Sequence, residues 1–205
     1  MRVVVRRLRF RTAMALAALG LVSAGFGAAC GGDAETAPAE TPASSPLAVA
    51  QRSLVLDGLV ESPVDLTLDD LRAMENTTEY VELYCVDYPT VPVEKGNWTG
   101  VRLGLLLEQA GVSPEAVKVA FYDDHGYSTD LTVATAMRED IILAYERDGM
   151  PLSEGLRLVV PGKWGYKWIS GLTHIELVDY DFAGVWESRG YSDEADITAE
   201  SPGAE

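Results

Sequence analysis

Cys85 is the residue of this chain with the most chemistry to offer. Only one other cysteine, Cys30, and two histidines, His125 and His174, are present, so a disulfide framework and a Cys/His zinc site are both poorly supported. Cys30 ends a leader-like segment, which leaves Cys85 as a lone thiol in a chain that reads as exported. A deprotonated thiol is a redox-active nucleophile or a ligand for a soft or high-valent metal. A free cysteine is equally at home as inert buried filler, and its type alone does not separate the two uses.

A second chemical signal is charge. Between 53 and 191 the chain carries 10 bases against 24 acids, yet no acid falls between Gly155 and Ile175, where Arg157, Lys163 and Lys167 all lie. With Gly162 and Gly165 among them, this strip could take a phosphate on backbone N–H groups and fixed positive charge. It could equally be a strand pair whose basic stems cover apolar surface and pair with the surplus acids. Trp98, Trp164, Trp168, Tyr166 and Tyr84 are candidates to wall a pocket for a flat heteroaromatic ligand, or simply core. Asp123, Asp124 and His125 form a polar cluster suited to proton transfer or to a solvated turn.

Strands dominate the elements that must position these groups. Ser53 to Val60, Tyr80 to Val86, Val117 to Tyr122, Tyr127 to Val133, Ile141 to Tyr145, Leu156 to Val160, Tyr166 to Ile169 and Thr173 to Val178 read as strands, with a hairpin turn at DDHG. Thr67 with Asp69 and Asp70 marks the capped start of a short helix. The best helical run is VRLGLLLEQAG, closed by Gly111, and DYPTVPVEKGNWTG before it reads as a loop.

The ends differ from this domain. Five arginines before residue 12 precede an apolar run, Ala13 to Ala29, which is the pattern of an export signal over residues 1–29. Its end, Gly27-Ala28-Ala29-Cys30, resembles a bacterial lipoprotein signal with Cys30 as the lipid attachment site, ordinary cleavage after Ala29 being the alternative. Arg6-Arg7 also suggests twin-arginine export, although Arg9 stands where an apolar residue would be wanted. Residues 30–52, rich in Ala, Pro and Thr, read as a disordered tether, and 192–205, with five acids and no base, as a solvated tail. The net charge of −16 makes duplex nucleic acid an unsuitable partner.

In order along the chain, LVLDGLVESPVDLTLDDL, Cys85, WTGVRLGLLLEQAGV, VKVAFYDDHGYSTDL, DIILAYERDGMPL, LRLVVPGKWGYKWI and HIEL resemble the molybdopterin-binding domain of the sulfite oxidase family, and FAGVWESRGYSDEAD resembles the tail of its members. The resemblance implies a mainly β, α+β domain over 53–191 that holds molybdenum-molybdopterin, with Cys85 as both metal ligand and catalytic residue. It also implies that Arg157 and Lys167 hold the cofactor, with Tyr166, Trp168, Ile169 and Ser170 on the same segment and Asp123 nearby. Sulfite-oxidising members carry an arginine beside the metal cysteine. Here Cys85-Val86-Asp87-Tyr88-Pro89 is more similar to the periplasmic protein-methionine-sulfoxide reductase branch. Ser170 replaces a Lys common in that branch and Asp123 replaces a Thr, and longer members add cofactor contacts from a segment that here reads as signal and tether. Two functions follow. One is an exported, periplasmic or cell-surface oxidoreductase, anchored by a lipid, transferring an oxygen atom to or from a small or protein-bound substrate with a haem or membrane electron partner. The other is a cofactor-free binding or scaffold lipoprotein of the same fold.

Overall fold

The computed structural model describes residues 53–197. The export signal, Cys30, the tether and residues 198–205 lie outside the described residues. The architecture is α+β and mainly β, as the family resemblance implied, with ten strands in two sheets and a few short helices. The first sheet contains β1 (Ser53–Gly58), β2 (Val64–Thr67), β5 (Lys118–Asp123), β6 (Ser128–Thr132) and β10 (Leu172–Val178), in the order β2-β1-β10-β5-β6. All its pairings are antiparallel except that of β1 with β10, in which Val55 faces His174. The second sheet runs β3 (Thr77–Leu83), β4 (Glu94–Arg102), β7 (Ile142–Arg147) and β8 (Met150–Pro151), with β9 (Arg157–Val159) also paired to β7.

Apolar residues from both sheets and from helix α2 (Leu103–Ala110) fuse into one core, including Leu54, Leu56, Trp98, Leu107, Phe121, Leu143, Leu158 and Ile175. Burying such side chains is the main favourable term in folding, about 1.5–3 kcal/mol for each large one. Helix α1 (Leu68–Ala73) starts at Thr67, whose hydroxyl accepts from the Asp70 N–H while the Asp70 carboxylate accepts from the Thr67 N–H. Those reciprocal bonds hold the Asp70 carboxyl below its usual range. Helix α3 (Val133–Ala136) is a single capped turn.

Four local expectations are corrected. Residues 94–100, read as loop, form most of β4, which pairs with β3 on one side and β7 on the other. The helical run accordingly begins at Leu103, because Val101 and Arg102 still belong to β4. Tyr166 to Ile169 is no strand: Gly165–Lys167 is a 3-10 turn. The chain also stays in place beyond Tyr191, since Ala195 is buried and the Ile197 N–H donates to Gly162 O at 2.9 Å. The solvated tail therefore does not begin at 192. Residues 181–197 form a strap across the domain, because their acids meet buried lysines.

Candidate functional site

β3 ends at Leu83, and two residues later Cys85 opens a turn in which the Tyr88 N–H donates to Cys85 O at 3.0 Å. Tyr84 O accepts from the Gly165 N–H at 2.8 Å, so the cysteine stretch and the 3-10 turn are stitched together. Between them opens a cavity of about 400 Å³ at the strand ends of both sheets. It is lined by Cys85, Val86 and Asp87 after β3, Glu94 of β4, Asp123 of β5, Arg157 of β9, the segment Gly165, Tyr166, Trp168, Ile169 and Ser170, and Trp186 and Tyr191 of the strap. Cys85, Asp123, Arg157, Tyr166, Trp168, Ile169 and Ser170, all singled out in the sequence, therefore meet in one place.

Asp123 has a structural task at the rim. Its Oδ1 accepts from the N–H groups of His125, at 2.9 Å, and Tyr127, at 2.8 Å, closing the hairpin turn. His125 points outward, with 76% of its side chain exposed and its Nδ1 2.5 Å from Asp124 Oδ1; neither residue lines the cavity. Of the five aromatics expected to wall a pocket, Tyr166 and Trp168 do so, while Trp98 is core, packed edge-on against Trp168 at 6.0 Å. Trp164 and Tyr84 lie outside the lining, and Trp186 and Tyr191 take that place, with ring centroids 5.0 Å apart. Sequence reasoning missed these two because they sit in what reads as the end of the domain. Tyr127, also missed, donates its hydroxyl to Tyr166 O. Burial pushes the Tyr127 and Tyr166 hydroxyls well above the usual phenol range, so both are neutral donors at any physiological pH.

The basic strip divides. Lys163 pairs with Asp196 at 2.8 Å and lies outside the cavity lining. Lys167, expected to hold the cofactor, is also outside the lining: its ammonium is 99% buried and meets Glu187 at 2.7 Å, Asp130 at 3.2 Å and Asp193 at 3.4 Å. Lys118 completes this cluster, 2.6 Å from both Asp130 and Asp193. Ammonium groups taken out of water need such partners. Burial raises the Asp130 carboxyl above its usual range despite the two lysines. Burial also disfavours the Asp193 charge, but hydrogen bonds with Lys118 and Asp130 and the positive charges of Lys167 and Lys118 together outweigh it and hold that carboxyl low. The cluster fastens the strap, and with it Trp186 and Tyr191, to the hairpin β5–β6.

Arg157 alone of the strip faces the cavity. Its Nη1 donates to Glu94 Oε1 at 2.8 Å, and its guanidinium lies over the Trp98 ring at 5.6 Å. Its buried Nε has no hydrogen-bond partner, Glu154 Oε1 being 3.4 Å away. A cavity-lining guanidinium, flat aromatic walls and one thiol fit a planar anionic organic group. Among the described residues no group of three or more His, Cys, Asp or Glu is placed to hold a metal ion. A dithiolene-bearing pterin would supply a metal at Cys85 with further soft ligands.

Three comparisons agree with this geometry. The chain is 31% identical over 144 residues to the uncharacterized oxidoreductase YuiH of Bacillus subtilis, covering 68% of this chain and 71% of that one. It is 29% identical over 156 residues to the catalytic subunit MsrP of the protein-methionine-sulfoxide reductase of Gluconobacter oxydans, covering 65% of this chain and 49% of that one, so it spans about half the length of that relative. The crystal structure of the sulfane dehydrogenase SoxCD from Paracoccus pantotrophus superposes with a TM-score of 0.60 at 25% identity, over 69% of this chain and 41% of that one. The model of the oxidoreductase molybdopterin binding domain matches residues 41–186, and the chain belongs to that family.

Proposed function

We propose that the protein is an extracytoplasmic molybdopterin-dependent oxidoreductase that transfers an oxygen atom to or from a small or protein-bound substrate. The observation that carries this is the convergence of Cys85, Arg157 and the Trp168, Tyr166, Trp186 and Tyr191 rings on one cavity. When bound, the cofactor supplies the two-electron redox centre. Cys85 would provide the thiolate ligand that ties the metal to the protein, and Arg157, in the cavity lining, would face the anionic part of the cofactor once an anion takes the place of Glu94. The aromatic walls exclude water and hold the flat ring system. Tyr127 fixes the Tyr166 backbone, while both phenols stay protonated, Tyr127 donating to Tyr166 O and Tyr166 to Ser192 O. Export, lipid attachment at Cys30, and electron exchange with a haem protein or membrane subunit belong to the same proposal. The methionine sulfoxide activity named for MsrP makes sulfoxides the first substrates to test.

One observation favours the cofactor-free binding or scaffold module instead: Glu94 already neutralises Arg157, and Lys167 is spent on buried acids. The two are separated by purifying the chain from a host that makes the cofactor and measuring molybdenum and released pterin. About one of each per chain is expected, with Cys85→Ala losing the molybdenum at unchanged fold as judged by circular dichroism. Molybdenum retained in Cys85→Ala, or none in the folded parent, sinks the oxidoreductase proposal.

A further inference from the structure

Glu94 lies between two guanidinium groups. Its Oε1 accepts from Arg157 Nη1 at 2.8 Å, and its Oε2 is ion-paired with Arg147 Nη1. The three residues come from the start of β4, the start of β9 and the end of β7, and both arginines lie over the Trp98 ring, Arg147 at 5.2 Å and Arg157 at 5.6 Å. Trp98 is fully buried, so the platform under both cations is rigid. Glu94 and Arg157 line the cavity of Cys85 and also, with Ser170, an adjoining cavity of about 720 Å³ that contains Arg147 and Glu154. Between the two cavities thus stands a carboxylate shared by two cations, Arg157 lining both cavities and Arg147 only the second.

With Glu154 near Arg157 Nε, two carboxylates balance two guanidinium groups, and the cluster has no net charge to offer an anion. An anion reaching Arg157 must take the place of Glu94. A carboxylate stripped of its only partner would make that exchange unfavourable, but Glu94 has a second one. It can release Arg157 while staying bound to Arg147, so the exchange leaves no unpaired charge.

We propose that Glu94 is a resident competitor for anionic ligands at Arg157, and that Arg147 is a positioning residue which receives Glu94 when a phosphate-class anion displaces it. The Arg147–Glu94–Arg157 relay, rather than Arg157 alone, sets how strongly the cavity takes an anion. Arg147 carries this role without facing the Cys85 cavity. The relay needs no metal, and it stands or falls independently of the molybdenum content of the chain.

Inorganic phosphate titrated calorimetrically into the full chain tests it. Glu94→Gln removes the competitor and should tighten phosphate binding by about two- to fivefold, the range for one partly exposed ion pair. Arg147→Met in the parent should weaken binding by a similar factor, because Glu94 then has nowhere to go. The decisive arm is Glu94→Gln/Arg147→Met: the relay requires the effect of Arg147→Met to vanish once Glu94 is neutral. If Arg147→Met weakens binding equally in both backgrounds, Arg147 acts only as a distant positive charge and the proposal fails. Unchanged affinity in Glu94→Gln, or no phosphate binding to any of the proteins, overturns it too. Should Glu94→Gln prove unfolded by circular dichroism, Glu94→Ala takes its place with the same expectations.

Discussion

Lys167 shows how a charge can be read correctly as important and wrongly as to its partner. In the sequence it belongs to an acid-free basic strip, the natural place to seek an anion site. In the fold its ammonium is enclosed by Asp130, Glu187 and Asp193, the first from β6 and the others from the strap. Proximity along the chain grouped the bases, but only tertiary structure could reveal that all three meet acids of the same protein and that Arg157 alone also faces the cavity. The Cys85 cavity was far more legible, because thiol, arginine and aromatics of the right types recur in a known order of blocks. The relay partners Glu94 and Arg147 carry no such signal, being ordinary surface residue types until β4 and β7 bring them together. Removing the Lys167 ammonium would leave Asp130 and Glu187 buried with too little compensation. Lys167→Met is expected to lose about 3–5 kcal/mol of stability, read from denaturant midpoints at constant slope.

At the level of elements, what the sequence made plain was local. The Thr67–Asp70 capping box and the hairpin around Gly126 are settled by neighbours in the chain and were found where expected. β4 was missed because Glu94, Lys95, Gly96 and Asn97 show no apolar alternation. That stretch is a strand through its pairing with β3, and further along Gly100 lets β7 come so close that a Cβ there would lie 2.0 Å from Leu143 O. The strap was missed for the opposite reason, its acids being read as solvated when Asp193 in fact meets Lys118. The Asp193 carboxyl is held low, so its share of stability is present above the ordinary carboxylate value and is lost as pH falls through the lowered one. Asp130 is raised and runs the other way: its share is present below the ordinary value and fades as pH rises through the raised one. Acidification below about pH 3.9 should therefore loosen the strap. Trp186 fluorescence is expected to shift before the circular dichroism of the sheets is lost, and Asp193→Asn should abolish that early step.

Across the whole molecule the dominant fact is a formal charge of −16. Like charges at this density repel within the folded chain, and added salt screens them over roughly 3 Å at 1 M against about 30 Å at 0.01 M. Exposed pairs such as Arg72–Asp69 are weakened by the same screening, but each contributes little. The melting temperature should rise by a few degrees, about 3–6 °C, as sodium chloride is raised from low concentration to about 0.5 M. A fall would mean that the ion pairs outweigh the repulsion. The buried Lys118–Lys167 cluster should be nearly indifferent to salt, since screening reaches enclosed charges weakly.

The placement of β10 bears on how this protein is made. It is the last strand among the described residues but the middle one of its sheet, entering between β1 and β5. During synthesis the hairpins β1–β2 and β5–β6 exist first, each with an open edge of unpaired N–H and C=O groups facing a gap that only residues 172–178 can fill. Until those residues are available the two edges are ready templates for a neighbouring chain. A chain halted between Thr132 and Leu172 would carry both edges permanently, a nascent chain carries both while residues 133–171 are added, and a chaperone that binds extended segments would have its work at this gap.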